Sequence, residues 1–130
     1  KRQEDKAMIR TQAELAAMLN AVYPTRENRW EGAKSVADMP YIIYRSGDSD
    51  NFSADNIAYY KTRSYEVELY FPTNSFEPES RLEQAFDENE IFYDSSRIKA
   101  SDFDLGEFSD IEVYDTSGGD FYITTYRIGI

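Results

Sequence analysis

The side chains that could do chemistry in this sequence are almost all carboxylates. The 130 residues contain 25 Asp and Glu against 14 Lys and Arg, and they include neither Cys nor His. Without Cys there is no disulfide scaffold, thiolate nucleophile or Cys-ligated metal, and without His the commonest general base is missing. An enzyme built on this chain would therefore have to use carboxylic acids.

Glu66 and Glu68 are the best-placed pair of carboxylates. Their spacing puts both on one face of a strand with Cβ atoms roughly 7 Å apart, between the carboxylate separations of retaining and inverting glycoside hydrolases. The same alternation is typical of a half-exposed strand, in which the polar residues form a solvated face. We favour the solvated face and expect no catalytic residue.

A cluster of Asp48, Asp50 and Asp55 could offer oxygen ligands to a hard cation such as Ca²⁺. Counted from Asp48, the sixth residue is Ser53 rather than Gly and the twelfth is Tyr59 rather than Glu, so the spacing differs from that of an EF-hand loop. Acidic residues in such loops more often form local turns. No Gly-rich phosphate loop or nucleophile elbow is present either, and we predict neither a metal nor a cofactor.

Composition and charge narrow the class of protein further. The net charge of -11 and the isoelectric point near 4.4 argue against tight binding of nucleic acid or of anionic membranes. An aromatic fraction of 15% is too high for a disordered acidic tail. No apolar run reaches the ~20 residues of a membrane helix, and the N-terminus lacks a secretory signal, so we expect a soluble, cytosolic protein. We predict a single domain over residues 1–130, with residues 1–8 as a flexible or tag-like extension.

The first predicted element is an amphipathic helix. Thr11 and Glu14 have the spacing of a capping box, and Pro24 ends the pattern. Residues 25–40 are predicted as a connecting segment in which Trp30 packs at the core edge. The helix would face the core with residues at i, i+3, i+4 and i+7, namely Leu15, Met18, Leu19 and Val22.

The remaining pattern predicts strands with a second helix between them. Residues 41–44 form the first predicted strand, and residues 65–71 alternate as a half-buried strand. Ser75 is a plausible cap for a second helix, in which Leu82, Ala85 and Phe86 share one face. Residues 91–93 open another strand, followed by a polar, irregular stretch over residues 95–110.

The C-terminal region predicts a β-hairpin, because residues 111–116 and 121–130 are β-prone and flank Gly118-Gly119. Both central residues of a type I′ turn need a positive φ, which Gly adopts readily. The predicted fold is therefore α+β: a mostly antiparallel sheet of about four or five strands with two helices packed on one face.

Two segments are candidates for contacts between subunits. Phe103, Leu105 and Phe108 alternate with acidic residues, a pattern that can dock on a neighbour while keeping the free chain soluble. The second candidate is residues 49–56, which overlap the turn-rich stretch of residues 46–51. In this segment we select Asp50, Asn51, Phe52 and Asp55 as contact residues.

Several segments together carry a family resemblance. They are residues 39–44 (MPYIIY), 49–56 (SDNFSADN), 65–70 (YEVELY), 82–83 (LE), 87–93 (DENEIFY) and the Tyr-rich residues 122–130. In this pattern the chain resembles the small tail-completion, or tail terminator, proteins of long-tailed phages and prophages of Gram-positive bacteria.

The resemblance implies a structural virion protein rather than an enzyme. Such α+β subunits form a ring, usually of six copies, that caps the tail tube and joins it to the head connector. The implied partners are further copies of the chain, the tail tube protein and the connector or stopper proteins, with the genome passing through the lumen without tight binding. The implied location is the head–tail interface of a virion assembled in the host cytoplasm. Another neck component, a monomeric protein-binding module and, as the least favoured interpretation, a carboxylate hydrolase remain alternatives.

Overall fold

A mixed five-stranded sheet with two helices forms the fold in the computed structural model, which describes residues 9, 11–28, 35–46, 64–102 and 119–130. The strand order is β1-β2-β3-β5-β4, and every neighbouring pair is antiparallel except β1 with β2. The predicted α+β class with a largely antiparallel sheet is thereby confirmed. The elements are α1 (Gln12–Val22), β1 (Thr25–Glu27), β2 (Tyr41–Ser46), β3 (Ser64–Pro72), α2 (Glu77–Glu88), β4 (Tyr93–Lys99) and β5 (Phe121–Gly129).

Helix α1 begins at the predicted capping box. The Thr11 hydroxyl accepts a hydrogen bond from the Glu14 N–H, and the Glu14 carboxylate accepts one from the Thr11 N–H, both at 3.1 Å. These two bonds satisfy donors that a helix N-terminus otherwise leaves unpaired. Leu15 and Leu19 are fully buried, so the predicted core-facing side of the helix is confirmed.

Helix α2 is also where the sequence predicts it. Its N-cap is Phe76, whose side chain makes no capping bond, and the Ser75 hydroxyl accepts a hydrogen bond from the Glu77 N–H at 3.1 Å. Leu82 and Phe86 are fully buried. Residues of both helices pack into the same apolar cluster as one face of the sheet, namely Leu15, Leu19, Ile42, Tyr44, Tyr65, Val67, Leu69, Phe71, Leu82, Phe86, Ile91, Tyr126 and Ile128.

A second apolar cluster covers part of the other face of the sheet. Tyr70 lies at its centre, with its ring stacked on Tyr41 at 5.0 Å and on Phe121 at 6.3 Å between centroids. The cluster consists of Val36, Met39, Tyr41, Ile43, Tyr70, Ala100, Phe121 and Ile123. Strand β3, predicted to be half-buried, is therefore buried on both faces from Val67 to Phe71.

Two strand boundaries differ from the prediction. Strand β1 lies in the segment that is predicted to be a connection. Its three residues have no apolar side chain and so no pattern that predicts a strand, and they form one by pairing in parallel with β2. Strand β4 extends from Tyr93 to Lys99 through the start of the stretch predicted to be irregular. Within the described residues, β4 is an edge strand that pairs with β5 alone, and most of its side chains are exposed. Its sequence therefore shows little of the apolar alternation that predicts a strand.

The neighbours of strand β5 differ from those that the predicted C-terminal hairpin implies. Strand β5 is confirmed and Gly119 has the expected positive φ, 116°. From Tyr122 to Ile128, however, β5 pairs with β3 on one side and with β4 on the other. A strand has two edges, so the predicted pairing of residues 111–116 with this strand is wrong. Residues 111–116 themselves, Gly118 and Trp30 lie outside the described residues.

Candidate interaction surface

The contact residues predicted from the sequence lie outside the described part of the chain. This holds for Asp50, Asn51, Phe52 and Asp55, and for Phe103, Leu105 and Phe108. The acidic cluster with Asp48 lies outside it as well. Within the described residues, no group of three or more Asp or Glu is arranged to hold a metal ion. The candidate surface must therefore be built from other side chains.

Glu66 lies on the sheet face opposite the helices, in a row whose charge alternates across four strands. The register places Arg45, Glu66, Arg127 and Asp94 side by side on β2, β3, β5 and β4. The Arg127 Nε is 4.0 Å from the Glu66 carboxylate, and both side chains are well exposed. Opposite charges on directly facing positions stabilise a sheet modestly, so the row gives Glu66 a structural role.

Glu68 shares that face but is not solvated, which makes the predicted solvated face wrong at this position. Only 9% of the residue is exposed. Its carboxylate lies 2.9 Å from the Arg45 guanidinium and accepts a hydrogen bond from the buried Tyr70 hydroxyl at 3.1 Å. Burial, with the neighbouring carboxylate, raises the pKa of Tyr70 above its ordinary value. The two glutamates therefore differ in surroundings, but each is engaged with an arginine of the sheet.

A second buried glutamate, Glu79, lies on the helix side of the sheet. It belongs to the first turn of α2, and its carboxylate accepts two hydrogen bonds from the Arg97 guanidinium of β4, both 2.8 Å long. The Thr124 hydroxyl of β5 donates a third, at 2.6 Å. Glu79 thus joins α2 to two neighbouring strands of the sheet.

The electrostatics of this pair follow from its hydrogen bonds. Those from Arg97 and from Thr124 lower the pKa of Glu79, although burial acts in the opposite direction. The bond to Glu79 raises the pKa of Arg97. Both groups are therefore charged at neutral pH. The bidentate geometry fixes the plane of the guanidinium, which a lysine could not reproduce.

The fixed arginine lies against two aromatic rings, the exposed Phe76 and the partly buried Tyr122. Its guanidinium carbon is 4.6 Å from the centroid of Phe76 and 5.6 Å from that of Tyr122. The Lys99 ammonium lies 5.8 Å from the Tyr122 centroid, and the Phe76 and Tyr122 rings are 5.2 Å apart. We call Phe76, Arg97, Lys99 and Tyr122 the aromatic–cation surface. Such contacts are favourable, and they present both an apolar face and positive charge to solvent.

Phe92 is a second exposed aromatic residue. It is 91% exposed, whereas Phe76 is 47% exposed, and no other large apolar side chain among the described residues is comparably open. Phe92 follows directly on the turn that ends α2, in which Glu90 has a positive φ of 58°. Ile91 is buried by the same turn, which leaves Phe92 on the outside.

The aromatic–cation surface is not evident from the sequence. Glu79 and Arg97 are separated by 18 positions, and Arg97 falls in a stretch that the polar composition predicts to be irregular. An acidic residue in the first turn of a helix is commonplace on its own. Arg97 reaches Glu79 because the pairing of β4 with β5 places Arg97 beside Thr124, on the side of the sheet that carries α2, and the sequence alone does not predict this pairing.

Comparison with protein-family models, with curated proteins and with solved structures gives no match at a significant level. In the described part of the chain, neither helix is long and apolar enough to cross a membrane.

Proposed function

We propose that this chain is a structural subunit of a phage head–tail junction that assembles into a ring, terminates the tail tube and joins it to the head connector. The observation that carries the proposal is the sequence resemblance to tail-completion proteins over residues 39–44, 49–56, 65–70, 82–83, 87–93 and 122–130. The family usually forms rings of six copies, and we propose the same number here.

The fold is compatible with this role. Of the segments that carry the resemblance, residues 41–44 lie in β2, residues 65–70 in β3, residues 82–83 in α2 and residues 122–129 in β5. Strand β3 is buried on both faces, and β5 is paired on both edges. A subunit that transmits force between a head and a tail needs such a rigid centre, while its contacts can be made by peripheral residues.

Exposed aromatic residues favour contact with other protein chains. Phe92 and Phe76 are the two large apolar side chains that the described part of the chain presents to solvent. Aromatic residues are enriched in protein interfaces, and they often anchor them. This supports a protein partner for the chain.

The charge of the chain supports passage of DNA without retention. At a net charge of -11 per copy, an assembled ring is strongly acidic, and an acidic surface repels the phosphate backbone. A ring lumen lined by such a chain would let a genome pass without gripping it.

Electron microscopy of the purified chain over a wide range of concentrations tests the ring. We expect closed rings with a central opening, because a heterologous contact whose rotation closes gives a ring rather than a filament. Monomers at every concentration would contradict a ring that the chain forms by itself and would favour a monomeric binding module.

A pair of variants separates contact from folding. In Phe92→Ser we expect rings to need a higher concentration, while the circular dichroism spectrum and the midpoint of unfolding stay unchanged, because the side chain is 91% exposed. Ser95→Ala, an exposed change on β4, serves as the matched control.

A further inference from the structure

The aromatic–cation surface is a place where positive charge is held in a fixed geometry on an acidic chain. Arg97 and Lys99 occupy alternate positions of β4 on the helix side of the sheet, and both lie within 6 Å of the centroid of the Tyr122 ring. The Phe76 ring next to them is 47% exposed. The surface therefore offers two cations and an apolar ring side by side.

Both cations retain hydrogen-bonding capacity toward a ligand. The bonds from Arg97 to Glu79 use Nε and Nη2, and no described residue bonds Nη1. The Lys99 ammonium forms no ion pair within 4.0 Å with a carboxylate of the described residues, and the carboxylate that interacts with it electrostatically, Asp120, already accepts hydrogen bonds from the Ser101 and Phe121 N–H groups. Because the Glu79 carboxylate holds the guanidinium and the Thr124 hydroxyl in turn holds that carboxylate, a ligand would meet a preorganised donor.

The chain itself contains a segment of complementary chemistry. Residues 103–110 have three carboxylates, at Asp104, Glu107 and Asp110, and no Lys or Arg. The same eight residues contain Phe103, Leu105 and Phe108. Copies with a net charge of -11 repel one another, so a contact that pairs acidic residues with cations opposes that repulsion where they meet.

We propose that the aromatic–cation surface binds residues 103–110 of a second copy of the chain, an inference that rests on the proposed ring. The carboxylates meet Arg97 and Lys99, and the apolar side chains pack on Phe76. The contact joins two different surfaces, so it is heterologous, and repetition around an axis gives a closed ring. Asp104 and Lys99 are the pair chosen to test it.

Two charge reversals test the contact. In Lys99→Glu the surface of one copy repels the acidic segment of the next, and in Asp104→Lys the segment repels the surface. We expect each variant alone to raise the concentration needed for half-assembly by about tenfold or more, because like charges placed together in an interface cost several kcal/mol. Sedimentation velocity of the full chain measures that concentration.

Mixing the two variants distinguishes a contact between copies from one within a copy. In a ring that alternates them, the reversed charge at position 99 of one copy meets the reversed charge at position 104 of the next. At the following contact the original Lys99 meets the original Asp104, so every contact pairs opposite charges and assembly should return toward the wild-type level. If the segment covers the surface of its own chain, mixing restores nothing, and only the double variant Lys99→Glu/Asp104→Lys recovers. That second pattern would overturn the second copy as the occupant.

The controls separate this inference from the proposed function. Arg81→Glu reverses an exposed cation on α2 and should leave assembly within about twofold of wild type, since exposed pairs contribute little. Lys99→Gln removes the positive charge without reversing it and should weaken assembly with little change in the unfolding midpoint, which covers the case that a charge reversal disturbs folding. Wild-type rings that none of the surface variants weakens would overturn the inference and leave the ring intact. A wild-type chain that is monomeric at every concentration would overturn both.

Discussion

The two buried glutamate–arginine pairs lie on opposite faces of the same sheet and differ in what surrounds the arginine. Glu68 and Arg45 connect neighbouring strands, and the Arg45 side chain is 21% exposed. Glu79 and Arg97 connect a helix to a strand, and the Arg97 side chain is 44% exposed. The carboxylates are about equally buried, at 11% exposure of each side chain.

The difference teaches that burial of the carboxylate alone does not define the role of such a pair. Around Glu68, a buried hydroxyl and a largely enclosed guanidinium depend on the same carboxylate. Around Glu79, the arginine is open to water on its other side and lies against Phe76. We therefore expect the first pair to matter more for stability and the second to matter more for what the surface can bind.

The largest effect is expected for Glu68→Ala. The substitution leaves the Tyr70 hydroxyl buried without its carboxylate acceptor and removes the ion pair between Glu68 and Arg45. We expect the free energy of unfolding to fall by about 3 kcal/mol, in the range for breaking a buried pair. Urea denaturation measures the loss. Glu66→Ala, on the same face but half-exposed, is the control and should cost less than about 1 kcal/mol.

A smaller effect is expected for Glu79→Ala. Arg97 can be solvated once its partner is gone, so the main cost is the buried Thr124 hydroxyl and the lost link between α2 and the sheet. We expect a loss of about 2 kcal/mol by urea denaturation, with about 0.5 kcal/mol or less for Glu77→Ala, whose pair with Arg81 is exposed. A loss for Glu79→Ala above that for Glu68→Ala would reverse the comparison.

Acid sharpens the comparison, because the pKa of Glu79 is lowered in the folded state. A depressed folded-state pKa contributes stability above the unfolded-state value, here 4.5, and that contribution disappears as the pH falls through the folded-state value. We expect wild-type stability to decline below about pH 4.5 and the decline to be shallower in Glu79→Gln. The measurement is the unfolding free energy of the wild type and of Glu79→Gln between pH 3 and pH 7. Equal slopes of free energy against pH for the two proteins would contradict a role of Glu79 in the decline.

The smallest effects concern the two tyrosines that donate to glutamates. Tyr70 donates to Glu68 at 3.1 Å, and Tyr126 donates to Glu83 of α2 at 2.9 Å. Glu83 is only half-buried, so water can replace the hydroxyl there. We expect Tyr70→Phe to cost about 1 kcal/mol and Tyr126→Phe less than half of that. Thermal unfolding of the two variants side by side checks the order, and equal losses would mean that the two carboxylates are equally shielded.

The parts of the fold that the sequence predicts are those decided by neighbouring residues. The capping box at Thr11 and Glu14, the apolar face of α1 and the position of strand β3 follow from local patterns, and the structure contains all three. The predicted half-burial of β3 does not hold from Val67 to Phe71, where both faces are buried. Strand β1 has no such pattern and exists because β2 lies beside it.

The candidate site depends on long-range register, which no local pattern fixes. Arg97 reaches Glu79 because β4 pairs with β5 rather than ending near Tyr93. The predicted hairpin fails for the same reason: turn chemistry around Gly119 is local, but the choice of neighbours for β5 is made by the whole sheet. The alternation in β3 predicts that Glu68 is solvated. The structure buries it, because residues that are distant in the sequence build a cluster around Tyr70 on that face of the sheet.

The most direct test of the central claim, that this chain terminates a tail tube, uses tail tubes assembled from the tube protein of the same genome. The purified chain, labelled with gold at its N-terminus, is added to growing tubes and viewed by electron microscopy. The account predicts label at one end of each tube and an end to growth there. Label spread along the tubes, or tubes that grow on unlabelled at both ends, would contradict it.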